Sequence, residues 1–213
     1  MEAYLVSLTP DNGLRTKIVE DKLMIFEKFG NQKFLLDEPH SSIYIGLSKN
    51  IKEVETKLKE IILKQKIIEV EIAREWQEFK NDKLAGGGTT LGLKVIGENR
   101  KKIISLQKKI VNSLNELRNG EIHPRFKNVQ LLDSFMESIE RYGYPFVSSK
   151  KIEDILIPHI SFCCFALQGD AEEFKKLNNL KKYVGPAIFP KISLYKINTD
   201  DSITLVSDFS LQQ

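Results

Sequence analysis

Two of the three histidines in this chain stand in the same local pattern. His40 and His159 each follow a proline, and each precedes a serine by two places, Ser42 and Ser161. An imidazole can take up or release a proton near neutral pH, and a hydroxyl can hydrogen-bond to an anionic oxygen. The repeated pattern therefore points to acid-base chemistry at a site to which two similar segments contribute.

The spacing of these residues suits a strand. Because side chains alternate between the two faces of a strand, His40 and Ser42 are predicted to share one face with Tyr44. In the second copy, Cys163 takes the position of Tyr44. If the two copies face each other, their imidazoles flank a cleft that suits a phosphate diester. One imidazole could then accept a proton from the attacking group while the other protonates the leaving oxygen, with no metal required.

Each copy also continues into a predicted helix that begins with a capping box. Asn50 with Glu53 forms the first box, and Asp170 with Glu173 forms the second. The histidines lie 119 residues apart and the caps 120. This near-constant offset predicts two lobes of similar build.

The remaining elements complete a mixed pattern of strands and helices. The stripe of apolar residues over 98–118, closed by Asn119-Gly120, is the clearest helix, and residues 14–26 have only a loosely helical spacing. The other predicted elements are strands at 3–8, 41–47, 66–73 and 89–96, a loop with Trp76 and Gly86–Gly88, a helix at 131–139, and closing strands at 187–197 and 202–209.

These elements predict an α+β fold in a single domain over residues 1–213. The expected architecture is bilobal, with two pseudo-symmetric lobes of antiparallel sheet and helix around a central cleft. Between the two histidine segments we expect a helical insertion at about residues 76–141.

Composition narrows the classes of function. With 41% hydrophobic residues the chain can build a core, and a net charge of +3 falls short of the positive surface of a dedicated duplex binder. The sequence shows no run of about 20 apolar residues and no signal-peptide pattern at its start, so we expect a cytoplasmic protein without membrane contact. Neighbouring Cys163 and Cys164 are expected to be reduced thiols. We infer no cofactor and no obligate protein partner.

Several other residues have both a functional and a structural interpretation. Tyr44, Tyr142 and Tyr144 could stack on a nucleobase, although packing in the core or in a loop also explains them. Gly86–Gly88 is interpreted as a flexible loop that could cover the cleft, since no lysine follows as in a P-loop. His123 is interpreted as a turn residue.

With these motifs in view, the sequence resembles the 2H phosphoesterase superfamily, which includes 2'-5' RNA ligase and 2',3'-cyclic nucleotide phosphodiesterase proteins. The resemblance rests on His40-Ser41-Ser42 and His159-Ile160-Ser161, each followed by an apolar strand and a helix. It implies that the two histidines act as acid and base, and that Ser42 and Ser161 bind the substrate phosphate.

The leading hypothesis is therefore a metal-independent phosphodiesterase that hydrolyses 2',3'-cyclic phosphates or 2'-5' bonds in RNA or small nucleotides. Its expected substrate is an RNA end or a small cyclic nucleotide. Two alternatives stay open: a hydrolase of cyclic di- or oligonucleotide signals, and a non-catalytic nucleotide- or RNA-binding module of the same fold. A purely structural protein would leave the duplicated histidines unexplained.

Overall fold

Two antiparallel sheets of four strands each dominate the structure. The computed structural model describes residues 1–127, 133–145 and 158–213. The strands within these residues are β1 (Glu2–Thr9), β2 (Ser41–Ser48), β3 (Ile68–Asp82), β4 (Gly88–Ile96), β5 (His159–Phe165), β6 (Gly185–Phe189), β7 (Lys191–Ile197) and β8 (Ile203–Ser210).

Helices connect the strands on both sides of the chain's midpoint. The α-helices in the described residues are α1 (Asn12–Phe29), α2 (Ile51–Ile62), α3 (Arg100–Leu114), α4 (Pro124–Lys127), α5 (Asp133–Tyr142) and α6 (Gln168–Leu177). Short 3-10 helices lie at Lys83–Ala85, Asn115–Arg118 and Leu180–Lys182.

The two sheets have matching strand orders. The first sheet runs β2-β1-β7-β8, and the second runs β5-β4-β3-β6. The two histidine segments therefore lead into equivalent edge strands, β2 and β5, which contact each other. After α2 the chain crosses into the second sheet as β3, and after β6 it returns to the first sheet as β7. The predicted α+β fold with two pseudo-symmetric lobes is thus confirmed.

One continuous core joins the lobes. Ile43 from β2 and Ile160 and Phe162 from β5 are fully buried, and they belong to the same apolar cluster as Phe174 from α6. Burying one such side chain stabilises a fold by about 1.5–3 kcal/mol. Packing across the lobes therefore fixes the two edge strands relative to each other.

The two predicted helix caps have different outcomes. Asn50 caps α2 as expected, because its side chain accepts a hydrogen bond from the backbone N–H of Lys52 at 3.0 Å. The second box is wrong: α6 begins at Gln168, so Asp170 lies inside the helix, and Leu167 at the cap position makes no side-chain cap. The 119-residue offset between the histidines therefore relates equivalent positions in the two halves of the structure, whereas the 120-residue offset between the predicted caps does not.

The structure also corrects the predicted insertion at 76–141. Strand β3 runs to Asp82, so Trp76 lies in the second sheet, where its ring packs against Phe162 and Phe174 at centroid distances of 5.6 and 5.7 Å. Residues 88–96 form β4 of the same sheet, and the helical part begins only at Arg100. The continuation of β3 gave no strand signal because residues 74–82 do not alternate between buried and exposed positions: all are exposed or half-buried.

Other elements differ in extent. Residues 12–29 form one continuous helix, and the region 187–197 splits at Pro190 into β6 and β7, which belong to different sheets. The helix predicted at 131–139 is described only from Asp133, since 131 and 132 lie outside the described residues. None of the described helices is long and apolar enough to cross a membrane.

Candidate active site

All four residues of the repeated pattern line one cavity between the sheets. His40, Ser42, His159 and Ser161 contribute to its wall, and its volume is about 240 Å³. Ser42 is exposed, while the other three are half-buried. Two imidazoles and two hydroxyls therefore open into the same small space.

A β-bulge aims the first serine into the cavity. Ser42 pairs with Ser7 and Tyr44 pairs with Val6, so Ile43 is an extra residue with no partner on β1. The bulge interrupts the alternation, and both Ser42 and Ile43 line the cavity. Tyr44 consequently lies on the other face, which corrects the expectation that it shares a face with His40 and Ser42.

Strand β5 has a matching β-bulge at the equivalent position. Ser161 pairs with Gly92 and Cys163 pairs with Leu91, which leaves Phe162 as the extra residue. The two bulge residues are 119 positions apart, the same offset as the histidines. Cys163 is fully buried and is not part of the cavity wall, so the expectation that it shares the face of Ser161 is wrong.

His40 is held in one tautomer. Its Nδ1 lies 2.6 Å from the backbone oxygen of Glu38. Because a carbonyl oxygen can only accept a hydrogen bond, Nδ1 carries the hydrogen and Nε2 of the neutral ring is left as an acceptor. Burial lowers the pKa of His40 to about 4, and the positive charges of Lys22 and His159 lower it further. His40 is therefore neutral at pH 7.

His159 lines the same cavity. It is the first residue of β5, where it pairs with Lys94 on β4, and its ring packs against Phe79 with 4.9 Å between ring centroids. A positive charge on His159 acts to lower the pKa of His40.

A buried lysine supports the loop that precedes His40. Lys22 is 7% exposed, and its Nζ donates hydrogen bonds to the backbone oxygens of Phe34 at 3.2 Å and Asp37 at 2.5 Å. Burial lowers the pKa of Lys22 to about 8 and raises the pKa of Asp37 to about 6. Lys22 and Asp37 both line the cavity.

A second cationic group, Arg125, also lines the cavity. Its guanidinium stacks on Phe34 at 5.2 Å and forms an ion pair with Asp201, with 3.3 Å from Nη2 to Oδ1. Sequence reasoning missed both Lys22 and Arg125. Lys22 had a usable signal, since it falls on the apolar face of α1 that Ile18 and Ile25 define.

The three tyrosines considered for base stacking have different positions. Tyr44 is fully buried, with its hydroxyl donating to the backbone oxygen of Tyr142, so neither ring face is open to a ligand. Tyr142 lies outside the cavity wall. Tyr144 lines the cavity but is only 7% exposed, and burial raises its pKa to about 12. The partly exposed rings in the wall are those of Phe34 and Phe79.

The turn that contains the glycine-rich segment also borders the cavity. Asp82 accepts hydrogen bonds from the backbone N–H of Leu84 and from the hydroxyl of Thr90, which ties the β3–β4 turn together. Gly86 and Gly87 have φ values of 94° and 97°, which only glycine adopts readily. Leu84 and Ala85 of this turn, rather than the glycines, line the cavity.

Neither the third histidine nor the cysteines take part in the cavity wall. His123 is buried, and its Nδ1 accepts a hydrogen bond from the backbone N–H of Arg125 at 3.2 Å, in agreement with a role at a turn. Cys163 and Cys164 are free and buried, and burial raises the pKa of Cys163 to about 12. A thiol with this pKa is protonated at pH 7 and is a poor nucleophile.

Metal-ligating side chains are not clustered in the described part of the chain. Among residues 1–127, 133–145 and 158–213, no group of three or more His, Cys, Asp and Glu side chains is arranged to hold a metal ion.

No family model and no curated protein sequence matches the chain, but solved structures do. It is similar to a crystal structure described as a phosphoesterase (9% identity, TM-score 0.54, covering 100% of both chains). It is also similar to E. coli LigT in apo form, with 9% identity, a TM-score of 0.56 and coverage of 100% of this chain and 98% of LigT. A third similar structure is TT0787 of Thermus thermophilus, with 12% identity, a TM-score of 0.53 and coverage of 99% of this chain and 98% of TT0787. At these identities the likeness shows a shared fold over the whole chain.

Proposed function

We propose that this protein is a phosphodiesterase that hydrolyses the 2',3'-cyclic phosphate or a 2'-5' phosphodiester bond of RNA or of a small nucleotide. The observation that carries the proposal is the pair of histidines, each with a serine two residues later, around one cavity. A pair of imidazoles in different protonation states is what concerted acid-base catalysis at a phosphorus centre needs.

His40 is assigned the role of general base. Its ring is neutral at pH 7, and its Nδ1–H is engaged by the backbone oxygen of Glu38, which leaves Nε2 to accept a proton. As the oxygen of an attacking water bonds to phosphorus, Nε2 takes one of its protons. The lowered pKa keeps this base available over a wide pH range.

His159 is assigned the role of general acid. While the new bond from water to phosphorus forms, the bond from phosphorus to one ribose oxygen breaks, and His159 donates a proton to that oxygen. The product is a phosphate monoester, and proton exchange with solvent returns His40 to neutral and His159 to its protonated form. No other reactant is consumed.

Ser42 and Ser161 are assigned to the phosphate oxygens. Each hydroxyl can donate one hydrogen bond to a non-bridging oxygen, and hydrogen bonds to a charged oxygen are stronger than those between neutral groups. The matching bulges after the two serines give both hydroxyls equivalent placements toward the cavity.

The comparisons support this proposal through what is known of the similar structures. One of them is described as a phosphoesterase, and E. coli LigT has been crystallised in complexes with phosphate and with 3'-AMP. The fold they share with this chain can thus hold a phosphate and a nucleoside monophosphate.

The size of the cavity bears on the alternative of a cyclic di- or oligonucleotide substrate. At about 240 Å³ the cavity is smaller than the roughly 300–1,000 Å³ typical of ligand pockets. This size favours a single nucleotide unit over a cyclic dinucleotide, which needs a roomier cleft. A non-catalytic binding module would keep the cavity but would bind a 2',3'-cyclic nucleotide without converting it.

The test is hydrolysis of adenosine 2',3'-cyclic phosphate by the protein and by the variants His40→Ala and His159→Ala. Each substitution is expected to lower kcat by about 10²–10⁴-fold, the usual contribution of a general acid or base. Activity is expected to be the same with and without EDTA, because both proton transfers are assigned to side chains.

Two serine variants with a matched control complete the test. Ser42→Ala and Ser161→Ala are expected to lower kcat/KM, whereas Ser207→Ala, a strand serine on β8 bonded to Glu55, is expected to leave it unchanged. Undiminished turnover in either histidine variant, at native-like circular dichroism, would overturn the mechanism. Binding of the cyclic nucleotide without product would favour the non-catalytic module.

A further inference from the structure

One part of the cavity wall has no role in the acid-base step. It is formed by Arg125 together with Phe34 and Asp201, and all three line the same cavity as the histidines. The side chain of Arg125 is only 16% exposed. An arginine that is this buried normally has a structural or ligand-binding reason to be there.

The hydrogen-bonding capacity of Arg125 is incompletely used. Nη2 contacts Asp201, but Nε is buried and has no hydrogen-bond partner within the described part of the chain. A buried donor without a partner costs free energy, and a guanidinium carries five N–H donors in a planar fork. That fork matches the oxygens of a phosphate group.

Phe34, the residue whose ring lies under Arg125, has a strained backbone conformation. Phe34 has a φ of 65°, which is uncommon for a residue with a side chain. Lys33 contacts the same ring, with 5.1 Å from Nζ to its centroid, and Lys22 binds the Phe34 backbone oxygen. Strain of this kind persists where surrounding contacts enforce it, and it concentrates at ligand sites.

Two cations next to Phe34 share one carboxylate. Arg125 lines the cavity and Lys33 lies beside it, while the acidic residues of the cavity wall are Asp37, Asp82 and Asp201. Asp201 is shared between Lys33 and Arg125, at 3.1 and 3.3 Å, so neither cation has a carboxylate to itself. Arg125 and Lys33 therefore carry one more positive charge than the carboxylate that they share, and inside a cavity the attraction of this charge for an anion is stronger than in water.

We propose that Arg125 binds a second phosphate of the substrate, one ribose away from the phosphate that reacts between the histidines. This inference rests on the proposed function and specifies its substrate class: a nucleotide unit that carries a phosphate on its 5' side as well as the reactive 2',3' group. Because Arg125 and the histidines line one cavity, we expect one such unit to contact both.

Two kinds of molecule carry that 5' phosphate, and three substrates distinguish them. They are adenosine 2',3'-cyclic phosphate, its 5'-phosphorylated form, and the dinucleotide ApA with a 2',3'-cyclic end. The protein is expected to favour the 5'-phosphorylated substrate over the first by about tenfold or more in kcat/KM, as one charge-assisted hydrogen bond implies. If the site is built for an internucleotide phosphate, the dinucleotide gains as much or more.

Arg125→Met tests the residue itself. It is expected to reduce the preference for a 5' phosphate to about twofold or less, and Arg125→Lys to retain part of it, because lysine keeps the charge but not the planar fork. Arg141→Met is the matched control: Arg141 also stacks on a ring, that of Tyr142 at 5.1 Å, but it is exposed and lies outside the cavity wall. This control is expected to keep the full preference.

A second variant covers the case in which Arg125→Met fails to fold. Asp201→Asn removes the carboxylate that competes for the guanidinium, so the preference for a 5' phosphate is expected to increase. An unchanged or smaller preference in this variant contradicts the proposal. So does equal kcat/KM of the wild-type protein on the phosphorylated and unphosphorylated mononucleotides.

A binding measurement separates failure of this inference from failure of the proposed function. Calorimetry with adenosine 3',5'-bisphosphate and with adenosine 3'-phosphate requires no turnover. Tighter binding of the bisphosphate by wild type but not by Arg125→Met supports the second phosphate site, even if no substrate is hydrolysed. Equal binding of the two ligands by wild type rejects that site, even if hydrolysis is observed.

Discussion

In the proposed mechanism, different surroundings give the two cavity histidines two different roles. Burial lowers the pKa of His40 to about 4, although the hydrogen bond from Nδ1–H to the backbone oxygen of Glu38 acts to raise it, so the ring is a neutral acceptor at pH 7. His159 packs on Phe79 at the start of β5 and faces the same space. Assigning the base to His40 follows from its local contacts and could not have been made from sequence, where the two motifs look alike.

The pH dependence of kcat/KM tests the assignment of His40 as the base. Activity requires neutral His40, so kcat/KM is expected to fall on the acidic side only near pH 4, well below the ordinary histidine pKa of about 6.5. Lys22→Met removes a positive charge that lowers the pKa of His40, so the acidic limb is expected to move to higher pH. Lys17→Met, an exposed lysine on the same helix, is the control and should leave the limb in place. A limb that stays at the same pH in Lys22→Met contradicts the assignment.

At the level of elements, the paired bulges decide which side chains face the cavity. A regular strand would place Tyr44 beside Ser42, whereas the extra residue Ile43 turns Tyr44 into the core. In β5 the bulge lies opposite Gly92, whose backbone approaches β5 closely: a Cβ there would lie 2.6 Å from the backbone oxygen of Ile160. The glycine thus permits the strand geometry that presents Ser161.

A single methyl group tests the importance of that close approach. Gly92→Ala is expected to destabilise the protein by about 1–3 kcal/mol, as overpacking does, and to lower kcat by displacing Ser161 and His159. Gly169→Ala is the matched control, because no atom lies within 4 Å of its added Cβ in α6. It is expected to raise stability by about 0.5–1 kcal/mol and to leave kcat unchanged. Urea denaturation measures both, and a neutral effect of Gly92→Ala would show that β5 tolerates the shift.

The elements also show where sequence patterns are informative. The apolar stripe of α3 and the cap at Asn50 are local signals, and both are confirmed. The bulges at Ile43 and Phe162 depend on how a partner strand is registered, which no local pattern encodes. Asp170 illustrates the converse, since a good local cap signal was overridden when α6 started earlier in the chain.

At the scale of the whole molecule, the two halves of the chain are interlocked. Strand β3 follows the first histidine segment but lies in the second sheet, and β7 follows the second segment but lies in the first. A buried carboxylate adds a hydrogen-bonded contact between distant segments. Asp21 on α1 is 4% exposed and accepts hydrogen bonds from Tyr183, Asn178 and Lys182. The relative position of the lobes, and so of the histidines, depends on such contacts.

Removing the hydrogen bonds of Asp21 is expected to lower the free energy of unfolding without altering the catalytic step. Asp21→Ala leaves three donors without their acceptor, and its expected cost is about 3 kcal/mol. Glu20→Ala changes the exposed neighbouring carboxylate on α1 and is expected to cost about 0.5 kcal/mol or less. Denaturant titration compares the two variants. Equal stability of both would show that the buried cluster contributes nothing net.

The overall architecture was more predictable than the composition of the cavity. Duplication of the histidine pattern implied two facing lobes, and the matching sheet orders confirm them. Arg125 and Phe34 were not predictable, because their meeting depends on the contact of segments 91 residues apart in sequence and on an unusual φ angle at Phe34. Long-range contacts of single residues leave no periodic trace in a sequence.

A double-mutant cycle on His40 and His159 is the most direct test of their joint action on one phosphate. The rates of adenosine 2',3'-cyclic phosphate hydrolysis by wild type, His40→Ala, His159→Ala and the double variant would be compared. If the residues act as a unit, the double variant is expected to be about as slow as the slower single variant, so that the two losses are far from multiplicative. Losses that multiply, as for two independent sites, would contradict the shared-phosphate account.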